Sequence, residues 1–339
     1  MKHAAFLTYP LIVTALVAGG CSSNATKTSQ SSAPASSSGQ SANPAAAPKV
    51  TATIKVGQTP LGIAVDSAAK SVYITNSGDE TVSVIDAASN AVKTSIRVGK
   101  KPDGIAIDSR AKQAFITNAE DNSVLIIDTG SNTVVGAPIK VGMAPQAVAV
   151  DPASHTAYVT NEDDGSVSVI DTAAGTVTAT IPVGKKPDGL AVDPATHSVY
   201  VTNAEDNSVS VIDIASRQVA TTIPVGTGPD WVQVVGSSAY VTTAGDNSVS
   251  VIDTGSRKVT ETIPVGKTPD GWTVDPGTHT AYITNSGDDS MSVVNPATRK
   301  VTATVKVGKG PDGIAVDPAT HTVYTANAGD GTVSVITTA

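Results

Sequence analysis

The stretch Tyr200–Asp213, "YVTNAEDNSVSVID", decides the fold because it recurs along the 339-residue chain. A close copy, "YVTNEDDGSVSVID", occupies Tyr158–Asp171. Self-similarity at a fixed period is the signature of a repeat architecture. Further near copies begin at Val72 and Ala281, and looser copies begin at Phe115, Tyr240 and Tyr324.

The repeating unit has four strand-like runs. Residues 187–226 contain "GLAVD", "SVYVTN", "SVSVID" and "QVATTIPV", each rich in Val, Ile, Thr or Tyr and each followed by turn residues. In the turn "DPATH", Asp193 and Pro194 suit the first two positions of a type I turn. Four antiparallel strands in each unit of about 42 residues are typical of a β-propeller blade. Each unit closes on a Val-Gly pair, whose glycines are Gly57, Gly99, Gly142, Gly184, Gly226, Gly266 and Gly308.

The order of the strands follows from the residue that precedes each Val-Gly pair. It is always Pro, Lys or Arg, and these residues protect a strand edge from further pairing. The fourth strand is therefore expected at the outer rim, and the first strand, rich in Gly and Ala, at the crowded axis. These edge residues are Lys55, Arg97, Lys140, Pro182, Pro224, Pro264 and Lys306.

The two ends of the repeat region indicate how the ring closes. "VTATIKVG" at residues 50–57 is a fourth strand with no first three, and "TVSVITTA" at 332–339 is a third strand with no fourth. The N-terminal strand is expected to complete the last blade. Residues 50–339 are thus predicted to form an all-β, seven-bladed propeller of four-stranded antiparallel blades.

The first 49 residues predict an exported, membrane-anchored chain. The apolar run "AAFLTYPLIVTALVA" after Lys2 is typical of a signal peptide spanning residues 1–20. It leads into "VAGGC", which resembles a bacterial lipobox and makes the single cysteine, Cys21, the expected lipidation site. Ordinary secretion with a free thiol is the alternative. The Ser/Ala/Pro-rich remainder of residues 21–49 is expected to be a disordered tether with a reach of roughly 30 Å.

Residues 50–339 resemble the YVTN-repeat β-propellers, in a bacterial lipoprotein form. Tyr158–Asn161 and Tyr200–Asn203 spell the motif. The resemblance implies the seven-bladed fold. It implies little about activity, because the family includes surface-layer and periplasmic proteins, and related propellers include lactonases and dehydrogenase subunits.

Several classes of function lack support in the sequence. The net charge of −8, the pI near 5.0 and the absence of Lys/Arg runs argue against nucleic-acid binding. One cysteine excludes a cysteine-rich metal site, and no haem motif or Gly-x-Ser-x-Gly elbow is present. We therefore assign no catalytic residue, metal or cofactor, and expect a monomer. The histidines of the "DPATH"-like turns occupy the same turn position in four separate blades, so they cannot converge on a metal ion or act together as a base. They are His155, His197, His279 and His321.

An acidic ring is the first candidate site. The residue after the loop proline between blades is Asp in most repeats, and these loops lie on the same face as the loops between second and third strands. The carboxylates are expected to ring the mouth of the axial channel, where they would bind a cation such as Ca²⁺. The alternative, which repetition favours, is that each caps its own turn. The ring consists of Asp103, Asp188, Asp230, Asp270 and Asp312.

Departures from the repeat in blades five and six are the second candidate site. Trp231 stands where the other first strands have Gly or Ala, and Gln233 and Thr273 stand where they have Ala. With Asp230 and Asp270 these residues predict an aromatic, polar pocket at the channel mouth. Trp272 replaces an aliphatic residue and is expected to point the opposite way. The alternatives are that Trp231 fills space in blade five, which is two residues short, and that Trp272 belongs to the core.

The function predicted from these features is a lipid-anchored binding module on the outside of a bacterial membrane. Its partner would be an envelope protein, a peptide or a small ligand. One alternative is a lactonase-like hydrolase that uses the acidic channel mouth. Another is a structural envelope protein without a specific ligand.

Overall fold

The computed structural model describes residues 47–338. The predicted signal peptide, Cys21 and most of the predicted tether lie outside the described residues. Within this part of the chain, no helix combines the length and the hydropathy needed to cross a membrane.

The described chain consists of 28 strands in chain order, with two single-turn 3₁₀ helices at Ala244–Asp246 and Ser286–Asp288. The strand β1 (Lys49–Lys55) comes first. Blade one then contains β2 (Pro60–Asp66), β3 (Ser71–Asn76), β4 (Thr81–Asp86) and β5 (Ala91–Arg97), and blade two β6 (Pro102–Asp108), β7 (Gln113–Asn118), β8 (Ser123–Asp128) and β9 (Thr133–Lys140). Blade three contains β10 (Pro145–Asp151), β11 (Thr156–Asn161), β12 (Ser166–Asp171) and β13 (Thr176–Pro182), and blade four β14 (Pro187–Asp193), β15 (Ser198–Asn203), β16 (Ser208–Asp213) and β17 (Gln218–Pro224). Blade five contains β18 (Pro229–Val235), β19 (Ser238–Thr243), β20 (Ser248–Asp253) and β21 (Lys258–Pro264), and blade six β22 (Pro269–Asp275), β23 (Thr280–Asn285), β24 (Ser290–Asn295) and β25 (Lys300–Lys306). Blade seven contains β26 (Pro311–Asp317), β27 (Thr322–Asn327) and β28 (Thr332–Thr337).

The sheet topology confirms the predicted propeller and its closure. Six sheets follow chain order, and the seventh has the order β1-β28-β27-β26. In that sheet β1 runs antiparallel to β28, with Lys49 opposite Thr337 and Lys55 opposite Thr332. The N-terminal strand therefore supplies the outer strand of the last blade and seals the ring.

The first strand of each blade lies at the axis, where neighbouring backbones come very close. A Cβ atom added at Gly189 of blade four would lie 2.5 Å from the carbonyl oxygen of Asp230 and 2.8 Å from Cα of Trp231. At Gly104 of blade two, an added Cβ would lie 2.9 Å from Cα of Ala147. Small residues recur in this row because the next blade leaves almost no room for a side chain.

The hydrophobic core is divided among the seams between blades. The seam between blades four and five combines Tyr200 and Val209 of blade four with Val232, Ala239 and Ile252 of blade five, all buried. Such alternating aliphatic layers account for the near-complete burial of the second and third strands. Because the second and third strands are buried on both faces by the neighbouring blades, a single blade could not cover its own core.

The loop face is held together by the Asn and Asp residues of the repeat. Asn203 accepts a hydrogen bond from the Gly184 backbone N–H at 3.0 Å and donates to Ser208 Oγ at 3.1 Å. Asp206 accepts from the Lys185 backbone N–H at 2.8 Å. These bonds join the loop that enters a blade to the loop between its second and third strands. Both loops therefore lie on one face of the disc, as the sequence predicts.

Candidate functional site

A threonine in the second strand of five blades connects that blade to the next one. Thr202 Oγ1 of blade four lies 2.6 Å from the backbone carbonyl oxygen of Asp230 in blade five, to which it donates. Because the bond uses the backbone of Asp230, its carboxylate takes no part in this contact. The same bond, at 2.5–2.6 Å, joins Thr75 to Asp103, Thr117 to Gln146, Thr160 to Asp188 and Thr284 to Asp312.

The seam between blades five and six lacks this bond. Thr242 Oγ1 accepts from the Trp231 backbone N–H at 2.9 Å and donates to the Trp231 carbonyl oxygen at 3.4 Å, so both contacts lie within blade five. Among residues 47–338, no hydrogen bond joins Thr242 to Asp270 of blade six. Trp231 occupies the row in which the other blades have Gly or Ala against the next backbone. The first strands β18 and β22 contact each other less than any other neighbouring pair of first strands does, and the indole of Trp231 packs against the core of blades three and four as well as that of blades five and six.

The widened seam contains both tryptophans. By strand alternation Trp231 and Gln233 face blade six, since the equivalent Gly189 faces the next blade. Trp272 of blade six packs with blade five and stacks on Tyr240, with ring centroids 4.8 Å apart and planes 12° apart. As expected, Trp272 points away from the face of its strand that carries Thr273. This direction takes its side chain into the seam between blades five and six, against which Trp231 also packs. At 2% exposure Trp272 is both a core residue and part of the site.

An axial cavity of about 350 Å³ adjoins this seam and is lined by the first strands of all blades. Trp231, Gln233, Trp272 and Thr273 all contribute to its wall. Its volume lies within the range of small-ligand sites. Of the predicted ring, the residues that line the cavity are Asp103, Asp188, Asp270 and Asp312; Asp230 does not.

The ring aspartates are held in an unfavourable environment for their charge. Burial, followed by the charges of Asp230 and Glu162, raises the pKa of Asp103 to about 7. Burial raises the pKa of Asp230 to about 6. Burial first, and then the neighbouring ring carboxylates, raise the pKa of Asp188, Asp270 and Asp312 well above the ordinary range. A cation in the cavity would favour the ionised forms.

Four of the five ring carboxylates do not act as turn caps, and the fifth, Asp312, interacts with the backbone N–H of Gly313. Within residues 47–338, the side chains of Asp103, Asp188, Asp230 and Asp270 accept no hydrogen bond from their own loops, which are capped by other residues such as Asp206. In the same part of the chain, no group of three or more His, Cys, Asp or Glu side chains is arranged to hold a metal ion. The carboxylates are spread around the axis and do not converge on one point.

The turn histidines remain apart in the structure. His155, His197 and His279 are exposed on their turns. His321 is half-buried, and its Nδ1 lies 2.8 Å from Oδ2 of the buried Asp275 in the preceding blade. This contact ties blade seven to blade six on the face opposite the ring.

Two polar atoms of the seam have no hydrogen-bond partner in the described chain. They are Gln233 Oε1 and Trp272 Nε1, both buried and both on side chains that line the axial cavity. Buried polar groups are almost always paired, so an orphan acceptor and an orphan donor in one seam require an explanation. The sequence marks both residues as departures from the repeat, but only the packing shows that their polar atoms are unpaired.

Comparison with known proteins supports the fold. The model of a family described as YNCE-like beta-propeller matches residues 198–280, a segment that includes both tryptophans. Among solved structures, the chain is similar to the Kuenenia stuttgartiensis hydrazine synthase, with 21% identity, a TM-score of 0.73, and coverage of 84% of this chain and 97% of that one. At this identity the likeness shows the fold alone, and 1619 chains of solved structures match significantly. Comparison with curated proteins found no match.

Proposed function

We propose that this protein is a binding module of the bacterial cell envelope that holds its ligand in the axial cavity. The observation that carries the proposal is the single widened seam, in which Trp231 separates blades five and six and leaves polar atoms unpaired beside the cavity. The other blades have Gly or Ala at the position of Trp231, and an aliphatic residue at the position of Trp272. A scaffold without a ligand would not require the departure.

The proposed location follows from the sequence. A signal peptide over residues 1–20, lipidation at Cys21 and a tether to residue 49 would place the propeller outside a bacterial membrane, on a flexible stalk. The YVTN motifs are consistent with a lipoprotein form of that propeller family. The partner would then be an envelope protein, a peptide or a small ligand.

The cavity offers two kinds of interaction. Trp231 is half-buried and supplies an aromatic surface for an apolar or cationic group. The carboxylates of Asp188, Asp270 and Asp312 repel one another and would be stabilised by a positively charged ligand. Binding is therefore expected to strengthen as the pH rises and the ring ionises.

Tryptophan fluorescence tests whether the cavity is open. The chain has only two tryptophans, so Trp272→Phe reports Trp231 alone and Trp231→Phe reports Trp272 alone. We expect acrylamide to quench Trp231 strongly and Trp272 weakly, because Trp272 is 2% exposed. Caesium should quench Trp231 better than iodide does at neutral pH, since the ring attracts cations.

Equal shielding of both tryptophans would contradict the proposal and would favour a structural role. If caesium still quenches Trp231 better than iodide does in the double variant Asp188→Asn and Asp270→Asn, the acidic ring is not the source of the negative charge near Trp231. Asp253→Asn, on the opposite face, is the matched control because that side chain caps its own turn.

A hydrolase is the second candidate, and one observation favours it. A carboxyl group with a pKa of about 7, as in Asp103, suits general acid–base catalysis at neutral pH. If the protein hydrolyses lactone or ester probes, Asp103→Asn should abolish turnover while probe binding persists. Turnover that is unchanged in Asp103→Asn would exclude this role.

A further inference from the structure

We infer that the face opposite the ring docks on a surface of anionic phospholipid, an inference that rests on the proposed lipid anchor. Outer strands begin on this face, because each of them ends at the loop face. At the start of the outer strand, four adjacent blades, four to seven, carry basic residues. This basic arc consists of Arg217, Arg257, Lys258, Arg299, Lys300 and Lys49.

The basic arc is a departure from the repeat. The last turn position before the outer strand has a left-handed backbone in blades one to six, with φ of 55° at Arg217 and 66° at Gly175. Blades one to three have Asn90, Asn132 and Gly175 there, which are the residue types that tolerate this conformation best. An arginine gains nothing from the backbone at such a position, so its side chain accounts for the choice.

Contacts between blades explain only part of the basic arc. Arg217 Nη1 donates to a backbone carbonyl oxygen of blade three at 3.4 Å, and Arg299 Nη1 pairs with Glu261 of blade five. Lys258 and Lys300 are exposed, and within residues 47–338 neither forms a salt bridge. Their charges are therefore free to meet a partner.

The acidic residues of the same blades leave the basic arc in excess. The aspartates at the ends of the first strands are buried: Asp193, Asp275 and Asp317. Asp213 and Asp253 accept hydrogen bonds from their own turns, and blade six has Asn295 in place of that aspartate. At the start of the outer strands of blades four to seven, six basic side chains thus stand against three acidic ones, which are Asp213, Asp253 and Glu261.

The chain enters the propeller on the same face. The strand β1 begins at Lys49, opposite Thr337, and ends toward the loop face at Lys55. The segment that contains the proposed lipidation site, Cys21, is therefore joined to the disc beside the basic arc. An anchor at this point would hold the arc near the bilayer, where each Lys or Arg improves binding to an anionic surface by a factor of about five. The loop face and the acidic ring would then point away from the membrane, toward the partner.

Vesicle sedimentation tests the inference on the chain from residue 21 with Cys21→Ser, which holds the whole described fold and carries no lipid. The vesicles consist of phosphatidylcholine alone or of an equal mixture with phosphatidylglycerol. We expect binding to the mixed vesicles to be about tenfold or more stronger at low salt. It should disappear at about 1 M salt, where the Debye length is about 3 Å.

Two double variants with equal charge separate the faces. Lys258→Thr with Lys300→Thr installs the residue of blades two and three, so it is expected to fold, and it should weaken binding to the mixed vesicles about tenfold or more. Lys185→Thr with Lys309→Thr is the matched control, because it removes two charges from the loop face and installs the residue that blade five has there, Thr227. The control should change binding by no more than about twofold.

Chemical acetylation, read by mass spectrometry, reports the orientation. On the mixed vesicles Lys258 and Lys300 should be protected, whereas Lys185 and Lys309 should react as they do in solution. Protection of the loop-face lysines instead would overturn the inference, as would equal binding to both kinds of vesicle or equal effects of the two double variants. If soluble heparin protects the arc lysines and the vesicles do not, an anionic polysaccharide is the partner and the lipid inference fails.

The proposed anchor is tested separately, by the mass of the protein purified from bacterial membranes. An unmodified Cys21 would contradict the anchor itself. A lipidated protein whose lipid-free chain does not distinguish the two kinds of vesicle would contradict only the role of the basic arc.

Discussion

At the scale of single residues, the threonine of the repeat motif joins one blade to the next. Thr202 is fully buried, and its hydroxyl reaches the carbonyl oxygens of Gly189 in its own blade and Asp230 in the next. A buried carbonyl that loses its donor pays the full desolvation penalty. Blade seven has Ala326 in this position, and Thr242 of blade five is bonded only within its own blade. These two seams are therefore joined by packing without this bond.

The substitution Thr202→Val tests this role, since it keeps the shape of the side chain and removes the hydroxyl. We expect a loss of about 1–3 kcal/mol in the free energy of unfolding, measured by urea denaturation. Thr222→Val, at an exposed site on the outer strand of the same blade, should change it by no more than about 0.5 kcal/mol. Equal effects of the two substitutions would rule out the inter-blade bond as a source of stability.

At the scale of secondary-structure elements, β1 is the strand on which closure of the propeller depends. It pairs with β28 and places Ile54, which is 7% exposed, in the core shared by blades seven and one. Lys55 Nζ also donates to the Asp330 carbonyl oxygen at 3.0 Å. Without β1, β28 would present an unpaired edge and part of this core would be exposed to water.

Removal of residues 1–55 should therefore destabilise the whole disc. We expect the melting temperature to fall by about 10 °C or more relative to a chain that begins at residue 47 and retains β1. Hydrogen exchange should rise first in β26, β27 and β28. An unchanged melting temperature would mean that closure by β1 does not stabilise the propeller.

At the scale of the whole molecule, the propeller gathers five carboxylates from five blades around one axis. Burial raises the pKa values of all five, and the charges of neighbouring carboxylates raise further those of all but Asp230, so the folded protein retains protons that the unfolded chain would release. Between the ordinary carboxyl pKa and the raised values, stability must fall as the pH rises. Each unit of pKa shift corresponds to about 1.4 kcal/mol when a carboxyl is fully ionised. The ring therefore destabilises the unliganded fold at neutral pH.

We accordingly expect thermal stability to decrease as the pH is raised from about 4 to about 8 in low salt. Asp188→Asn combined with Asp270→Asn should flatten this slope. Asp253→Asn should leave the slope unchanged, because hydrogen bonds from Ser256 lower the pKa of Asp253 and it titrates below this range. A stability that increases with pH over the same range in the parent protein would contradict the raised pKa values.

Most of the fold could be predicted from the sequence because its determinants are local and repeated. The period, the four short strands of each unit, the Pro, Lys and Arg residues at the outer edge and the incomplete first and last units all lie in the order of the chain. These features determine the number of blades, the strand order and the closure. The departures at Trp231, Gln233, Trp272 and Thr273 also stand out against the repeat. The lipid anchor and the tether remain predictions from the sequence.

The form of the site was decided only by the tertiary structure, because it depends on which faces meet. Strand alternation places Trp231 and Trp272 on opposite faces of their own strands, and only the packing of blade six on blade five brings them into one seam. That the polar atoms of Gln233 and Trp272 are unpaired is likewise visible only in the folded structure. The raised pKa values of the ring likewise require residues about 40 positions apart to approach one another. Repeats along the chain determine a blade, whereas distances between blades determine the chemistry at the axis.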